Sequence, residues 1–300
     1  MPRISVHMPA YNAEKTVHQA VSSVLRDLPR DAEVVVLDDG STDATADIVR
    51  TITDPRVRMV TGKHEGVGRA SQALLDCTDS EFVARMDSDD IWFRGRSRRQ
   101  LRAVESGTDA VFTSAVLWRE RRPPSTTAPT RISARAFPFH LLLTNPVTHS
   151  AMFARRSAIE AAGGYRPFRT TEDYDLYLRL AERGYALRRL ALPGVAYRVH
   201  AQQITASSGW RRDSWQNPEI ATVFSALADS LIGTPAQRIT ALAVDDTQDE
   251  SSRRSQFSDF SRRFREAIAD QAPSERWVLT QKLKRRSAWF SARLEERAGS

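Results

Sequence analysis

Residues 33–43 read EVVVLDDGSTD, an apolar run that stops abruptly at two aspartates, a glycine and hydroxyl side chains. A short run rich in β-branched residues is typical of a buried strand in a parallel sheet. Ser41 or Thr42 can cap the start of a following helix, which we expect over about residues 43–52. This stretch therefore predicts a strand, a turn and a helix, the repeating unit of an α/β fold.

The same alternation extends on both sides of this stretch. Strands are predicted at 4–8, 33–37, 56–61, 81–86 and 109–116, and helices at 13–26, 43–52, 66–76 and 95–106. This order predicts a mostly parallel sheet flanked by helices.

The pattern changes after the fifth of these strands. Residues 119–133 are predicted as an exposed loop, and helices and strands resume from 134 to about 205. Beyond that point the apolar spacing predicts helices, with residues 245–256 as a polar linker. We therefore expect an α/β domain over 1–205 and a helical extension over 206–300.

Composition narrows the class of protein. The chain has 300 residues, of which 41% are hydrophobic and 27% charged, which excludes global disorder. No apolar stretch approaches the ~18 residues of a membrane-spanning helix, and the first residues lack the apolar segment of a signal peptide. Cys77 is the single cysteine, which excludes an internal disulfide and a cysteine-cluster zinc site. These features predict a cytoplasmic protein.

The positive charge lies mainly in the tail. The net charge is +7, and residues 251–300 hold twelve Lys or Arg against six Asp or Glu. The tail is either a solvated helical surface or a surface for anionic lipid or an anionic acceptor. A basic protein that binds nucleic acid is a third reading, but no nucleic-acid-binding motif accompanies the charge, so no nucleic-acid partner is expected.

Three strand ends carry polar residues. The first strand ends in residues 9–12 (PAYN), the second in 38–43 (DDGSTD) and the fourth in 87–90 (DSDD). Ligands of open parallel sheets bind at the carboxyl ends of the strands, so these groups are expected to converge. Clustered carboxylates repel one another unless a cation neutralises them, and oxygen ligands suit Mg²⁺ or Mn²⁺ bridging to a diphosphate. The pattern therefore predicts a nucleotide-diphosphate site.

Two other enzyme classes place aspartates in a comparable sheet. A phosphatase of the haloacid dehalogenase type would need its aspartate pair at the first strand, whereas Asp87 and Asp89 follow the fourth. A nucleotidyltransferase would show a glycine-rich loop with a basic residue near the N-terminus, and residues 8–15 do not. Residues 66–68 (GVG) lack the third glycine of a dinucleotide-binding fingerprint.

The ordered motifs resemble a family 2 glycosyltransferase of the GT-A fold from residue 4 to about 205. The matching segments are 8–14 (MPAYNAE), 36–43 (VLDDGSTD), 84–92 (ARMDSDDIW), 145–150 (NPVTHS), 163–165 (GGY), 172–176 (EDYDL) and 197–200 (YRVH). The resemblance implies a nucleotide-binding half over 1–116 and an acceptor-binding half over 134–205. It also implies inverting, metal-assisted transfer from a nucleotide-diphosphate sugar, most often a UDP-sugar, to a hydroxyl of a glycan or lipid-linked acceptor. A catalytically inactive relative is the alternative.

The resemblance also assigns residues on the donor side. Pro9, Tyr11, Glu14 and Asp38 would line the base, with Asp38 accepting from a uracil-type N–H. Arg69 would replace a basic or amide contact that many relatives supply through a motif absent here. Asp87 would hold the ribose, Asp89 would bind Mn²⁺ or Mg²⁺, and His200 would complete the metal site or serve structurally.

Asp173 matches the general base of such enzymes, which would take the proton of the acceptor hydroxyl. The helix N-terminus at this position would lower its pKa. Glu172 and His149 match acceptor-side positions. Read alone, Glu172 and Asp173 are helix N-terminal charges, and His149 is a buried, hydrogen-bonded histidine. The basic tail with Trp277 and Trp289 implies peripheral contact with the inner membrane face.

Overall fold

The computed structural model of the chain describes residues 1–119, 122–126, 130–200, 203 and 210–298, with the side chains of 211–213 and 297–298 left out. The strands are β1 (Ile4–Ala10), β2 (Ala32–Asp38), β3 (Val57–Thr61), β4 (Phe82–Arg85), β5 (Ile91–Trp92), β6 (Ala110–Arg119), β7 (Ser125–Thr126), β8 (Met152–Arg155) and β9 (Leu187–Val199).

The helices of the first 200 residues lie between these strands. They are α1 (Val17–Leu25), α2 (Thr45–Arg50), α3 (Val67–Asp76), α4 (Arg96–Glu105), α5 (Phe137–Leu143), α6 (Arg156–Ala161) and α7 (Glu172–Glu182), with a 3₁₀ turn at His149–Ala151. After residue 210 follow α8 (Trp210–Trp215), α9 (Pro218–Ile232), α10 (Ile239–Ala243), α11 (Glu250–Ala267) and α12 (Pro273–Ala298).

One sheet runs through the α/β part in the order β3-β2-β1-β4-β8-β6-β9-β5, with β7 paired to β6. The β3-β2-β1-β4 section is parallel, and β8 runs antiparallel to both β4 and β6. The α/β class is confirmed, and the sheet predicted as mostly parallel is mixed. The regular strand–helix alternation that gives parallel neighbours ends at β6, and β8 then enters between β4 and β6 in the opposite direction.

The far edge of the sheet brings two distant segments together. The last strand of this part, β9, is continuous over Leu187–Val199 and pairs with β6 across a register shift at Ser114. The two-residue β5 pairs with β9, with Ile91 opposite Ala196 and Trp92 opposite Val195. As a result, the segment after β4 lies beside the end of β9.

Asp27 fixes the chain just beyond β5. Its carboxylate accepts hydrogen bonds from the Trp92 indole N–H at 2.8 Å and from the Ser97 backbone N–H at 2.9 Å. The Ser97 hydroxyl donates to the same carboxylate at 2.8 Å. These bonds satisfy donors at the start of α4 and hold β5 against the end of α1.

The C-terminal helices share a hydrophobic cluster with the α/β part. Residues of α5 and α7 pack in that cluster with residues of α9, α11 and α12. Phe139 of α5, for example, meets Phe264 of α11 edge to face, with ring centres 6.0 Å apart. The predicted boundary at residue 205 lies outside the described residues.

The polar stretch 245–256 is helical over much of its length, so the predicted linker is wrong in its second half. Helix α11 begins at Glu250, where Asp249 accepts a hydrogen bond from the Ser252 backbone N–H at 2.7 Å. The first turns of α11 are polar because they face solvent. Across the described residues, we find no helix that combines the length and the apolarity needed to span a bilayer.

Substitution of Phe290 tests whether α12 is part of the folded core. Its side chain is buried, with its ring 4.5 Å from that of Phe257. We expect Phe290→Ala to lower the free energy of unfolding by about 3–5 kcal/mol in urea titrations. Trp277→Ala on the same helix removes a side chain that is 65% exposed, so a change within about 0.5 kcal/mol is expected. Equal stabilities of the two variants would contradict a shared core.

Candidate active site

The ends of β1 and β2 are locked together by hydrogen bonds between their turns. The Asn12 side-chain carbonyl accepts from the Thr42 backbone N–H at 2.9 Å, and the Asn12 N–H donates to the Ser41 hydroxyl at 2.9 Å. The Glu14 carboxylate accepts from the Ala44 N–H at 3.2 Å, at the start of α2. Glu14 thus holds the turn together beside the predicted base-binding positions.

The two aspartates at the end of β2 differ in their contacts. Asp39 accepts from the backbone N–H groups of Glu65 and Gly66, both at 3.0 Å, and so anchors the loop that leads into α3. Within the described residues, the Asp38 carboxylate accepts one hydrogen bond, from the Ser41 backbone N–H at 3.2 Å. This carboxylate therefore retains acceptor capacity for a ligand.

An exposed aromatic pair lies beside these turns. The Tyr11 ring is 46% exposed and stacks on the His64 ring with centres 4.2 Å apart. Pro9 lies two residues earlier in β1, half-buried. Arg69, on the first turn of α3, is largely exposed and lies 3.6 Å from the Glu65 carboxylate. A flat aromatic surface next to an acceptor carboxylate suits a planar base.

The short glycine motif before α3 has a packing role. A β-carbon on Gly68 would lie 2.5 Å from the backbone oxygens of Arg166 and Phe168. Gly66 adopts a φ of +89°, where its N–H reaches Asp39. The glycines thus permit close approach and a turn, consistent with the rejection of a dinucleotide fingerprint.

A buried arginine holds Asp87 at the end of β4. The Arg85 guanidinium contacts the Asp87 carboxylate at 3.0 Å and donates to the Ser71 hydroxyl at 2.7 Å. Burial favours the neutral form of Asp87, but the Arg85 charge, together with smaller contributions from His149 and Ser150, holds the pKa of Asp87 below its usual range. The Asp87 backbone N–H also donates to the Ser150 hydroxyl at 3.1 Å.

The pairing of β5 with β9 joins the two predicted metal ligands. His200 Nε2 lies 2.8 Å from Asp89 Oδ2. Arg198 supports this contact, because its backbone N–H donates to Asp90 at 2.9 Å and its Nε to the Asp89 carbonyl at 2.9 Å. Burial, and then the charge of Asp87, raise the pKa of Asp89.

These residues fit a divalent cation that takes further ligands from its substrate. Within the described ranges, no three His, Cys, Asp or Glu side chains are grouped to share one ion. Asp89 and His200 supply one oxygen and one nitrogen, and Asp90 Oδ2 is buried there without a hydrogen-bond partner in the described residues. Mg²⁺ commonly binds through one or two carboxylates plus substrate phosphates, so this donor set is compatible with it.

Asp173 begins α7 beside a buried hydrogen-bonded chain. Its carboxylate accepts from the Asn145 amide at 2.8 Å. The adjacent Glu172 carboxylate lies 3.3 Å from His149 Nδ1, and His149 Nε2 lies 3.0 Å from the Tyr165 hydroxyl. Glu172 and His149, predicted on the acceptor side, are both buried in this chain.

Burial dominates the ionisation of this group. Burial, and then the charge of Glu172, raise the pKa of Asp173 to about 6. The predicted lowering by the helix N-terminus is therefore wrong in direction. Burial raises the pKa of Glu172 to about 7, while burial and then Arg85 lower that of His149 to about 4. Near pH 7 the histidine is neutral and Asp173 is largely ionised.

Tyr197 links the two parts of the site. Burial raises its pKa, and the charges of Asp87, Asp90, Asp89 and Asp173 raise it further. The carboxylates after β4 and the carboxylate of α7 therefore act on the same phenol. All four carboxylates therefore lie near this phenol, at the carboxyl end of the sheet.

Several residues of the site were not predicted individually. Arg85, Asn145 and Tyr197 lie inside the motifs 84–92, 145–150 and 197–200. The sequence therefore indicates that they are near the site, but it does not indicate which residues they contact. His64 carried no such signal, because it lies in a loop outside those motifs. Gln72, on the same helix as Arg69, accepts from the Tyr165 backbone N–H at 2.7 Å.

The chain is similar to known proteins. Residues 5–162 match the model of glycosyl transferase family 2, which is more than half of the chain. The chain is 27% identical over 212 residues to UDP-Glc:alpha-D-GlcNAc-diphosphoundecaprenol beta-1,3-glucosyltransferase WfaP of Escherichia coli, covering 69% of this chain and 81% of that protein. It is 30% identical over 190 residues to chondroitin synthase of Escherichia coli, covering 61% of this chain and 27% of that protein.

A solved structure agrees with the fold. S. aureus TarS in complex with UDP-GlcNAc matches with a TM-score of 0.64 at 15% sequence identity, covering 100% of this chain and 93% of that chain. At this identity the match shows the shared GT-A architecture.

The raised pKa of Asp173 gives a testable pH dependence of stability. A carboxyl whose folded pKa exceeds its unfolded value stabilises the fold at low pH, and this contribution is lost as pH rises through the folded pKa. We therefore expect Asp173→Asn to gain about 2–3 kcal/mol over the wild type between pH 4 and pH 8. Urea titrations at several pH values measure this, with exposed Asp47→Asn as control. A pH-independent difference would contradict the assigned pKa.

Proposed function

Because the chain belongs to glycosyl transferase family 2 and is a glycosyltransferase that uses a nucleotide-sugar donor, we propose that it moves one sugar from a UDP-sugar to an acceptor hydroxyl, with inversion at the anomeric carbon. The observation that carries this proposal is the convergence of Asp87, Asp89, Asp90 and Asp173 around Tyr197. This convergence supports a donor diphosphate and an acceptor hydroxyl meeting in one space.

Uridine is the proposed base. WfaP is named for UDP-Glc, and TarS has been solved with UDP-GlcNAc and with UDP. In this chain, the Tyr11 and His64 rings would lie against the base, and the Asp38 carboxylate would accept from its N–H. Pro9 would contact the same base, Arg69 would approach the phosphates, and Asp87 would hold the ribose.

Asp89 and His200 are the proposed holders of Mn²⁺ or Mg²⁺. The cation, when bound, would offset the negative charge that develops on the leaving diphosphate. Arg198 would keep both carboxylates of this segment in place through its contacts with Asp89 and Asp90. A diphosphate leaving group stabilised in this way needs no protonating acid.

Asp173 is the proposed general base. It would take the proton from the acceptor hydroxyl while the oxygen attacks the anomeric carbon of the donor sugar and UDP departs. A single in-line displacement of this kind inverts that carbon. The Asn145 amide orients the carboxylate, and a pKa of about 6 leaves it ionised and still basic at neutral pH. Glu172 and His149, in the buried hydrogen-bonded chain beside Asp173, would hold this base in position.

The proposed acceptor is a glycan or a lipid-linked sugar at the inner membrane face. WfaP is named for an acceptor that carries a diphosphoundecaprenol group. The basic tail of this chain would favour the anionic membrane surface on which such an acceptor lies. Trp277 is 65% exposed on α12 and would contribute to peripheral contact.

Asp173→Asn separates catalysis from donor binding. The substitution keeps the side-chain shape and its contact with Asn145 while removing the base. We expect transfer to fall about 10²–10⁴-fold, with UDP affinity in the presence of Mn²⁺ within about twofold of the wild type. Release of UDP from a UDP-sugar measures the first quantity and calorimetry the second. Loss of UDP binding together with transfer would assign Asp173 a structural role.

Asp89→Ala tests the cation site. Electron paramagnetic resonance of Mn²⁺ in the presence of UDP reports bound and free metal directly. We expect the variant to lose at least about tenfold in Mn²⁺ affinity, since one of two protein ligands is removed. Asp47→Ala removes an exposed carboxylate elsewhere and should leave Mn²⁺ binding unchanged. Unaltered Mn²⁺ binding by Asp89→Ala would refute the ligand assignment.

A further inference from the structure

A row of cationic and aromatic side chains leads away from Asp173 and has no role in the mechanism above. Tyr174 follows Asp173 at the start of α7, and the Arg238 guanidinium carbon lies 4.8 Å from the centre of the Tyr174 ring. Arg286 on α12 acts electrostatically on both groups. The guanidinium of Arg286 lies 6.0 Å from the centre of the Trp289 ring. We call Arg238, Lys282 and Arg286 the basic row.

Lys282 extends the row by one helical turn. It precedes Arg286 by four residues and so lies on the same face of α12. Its ammonium donates to His140 Nδ1 at 2.8 Å. Burial, and then Arg189, Arg286 and Arg285, lower the pKa of Lys282 to about 8.

Such a concentration of half-buried cations has an energetic cost. Like charges that are partly removed from water destabilise one another unless an anion lies between them. Lys282 and Arg286 have no carboxylate partner among the described residues, and the pKa of each is lowered by burial. A bound phosphate group would relieve this repulsion through charge-assisted hydrogen bonds.

An aromatic cavity continues the row on its far side. Trp289 packs edge-on against Trp215, with ring centres 5.8 Å apart. The cavity beside them has a volume of about 260 Å³ and is lined by these two rings with Ala292, Arg293 and Glu296. From Tyr174, the residue after Asp173, the contacts therefore lead first to the cations and then to the large aromatic surface.

This order matches the chemistry of a sugar carried on a lipid through a phosphate linkage. We propose that the basic row binds the phosphate or diphosphate of such an acceptor, that Trp215 and Trp289 contact the first part of its lipid chain, and that the sugar thereby reaches Asp173. The inference rests on the proposed function, because it assigns Asp173 to the acceptor side. It adds an acceptor phosphate site formed by the C-terminal helices.

The four lysines of the chain allow a direct test. Reductive methylation with ¹³C-formaldehyde labels Lys15, Lys63, Lys282 and Lys284 and keeps their charge. Geranyl diphosphate, a soluble short-chain lipid diphosphate, is added to the full chain in EDTA, which removes divalent cations. We expect the Lys282 resonance, identified by its absence in Lys282→Met, to shift while that of exposed Lys284 stays in place.

Matched variants then measure the contribution of the row. We expect Lys282→Met and Arg286→Gln to weaken binding of geranyl diphosphate about tenfold, and Lys284→Met to change it less than twofold. Inorganic pyrophosphate should bind more weakly than geranyl diphosphate if the tryptophans contact the chain. Thermal melting checks that each variant is folded. The shifts of the lysine resonances in the wild type test the inference without the variants, apart from Lys282→Met, which is used to assign the Lys282 resonance.

Three results would overturn the inference. These are equal shifts of all four lysines, equal affinities of Lys282→Met and Lys284→Met, and equal affinities for pyrophosphate and geranyl diphosphate. A Lys282 shift with phosphatidylglycerol vesicles but not with geranyl diphosphate would instead assign the row to the membrane surface. UDP binding in Mn²⁺, measured on separate EDTA-free samples of the same proteins, should be unchanged. If the wild type did not bind UDP in Mn²⁺, that result would count against the proposed function and not against the acceptor phosphate site.

Discussion

The site depends on how the chain accommodates negative charge at the carboxyl end of its sheet. Asp87, Asp89, Asp90 and Asp173 all act on the half-buried Tyr197. Burial and then the charge of Asp87 raise the pKa of Asp89 and of Asp90, as expected for neighbouring carboxylates that repel one another. The buried Arg85 offsets one of these charges, and His200 contacts another. The negative charge that remains on the carboxylates favours binding of a cation, and the substrate can supply the further ligands of that cation. A nucleotide-diphosphate site has the same requirement.

Neighbouring polar residues of the site have different roles. Asn12, Glu14 and Asp39 use their side chains to hold backbone N–H groups of adjacent turns, so they make the site rigid. Asp38 and Tyr11, beside them, keep capacity for a ligand. The same difference recurs on α7, where Glu172 is buried in a hydrogen-bonded chain while its neighbour Asp173, held by Asn145, is the proposed base.

Local patterns in the sequence predicted the elements that position most of the site, because β1, β2, β4 and α7 carry clear periodicity and end at distinctive polar residues. The pairing of β5 with β9 was not predictable, since two residues carry no period and their partners lie about a hundred residues away. Burial of Glu172 and Asp173 is likewise a tertiary effect, and it reversed the pKa shift that the helix N-terminus alone predicts. The start of α11 was mistaken for a linker because a solvent-facing helical turn has the same composition.

The central claim is that the strand ends of β1, β2 and β4, together with β9, form a metal-dependent site for a uridine nucleotide. Calorimetric titration of the wild-type chain with UDP, dTDP and GDP, each in Mn²⁺ and in EDTA, tests it most directly. The account predicts that UDP binds in Mn²⁺, that EDTA abolishes or greatly weakens this binding, and that the other two nucleotides bind more weakly. Absence of binding by all three nucleotides in Mn²⁺, or UDP binding that is equally strong in EDTA, would contradict it.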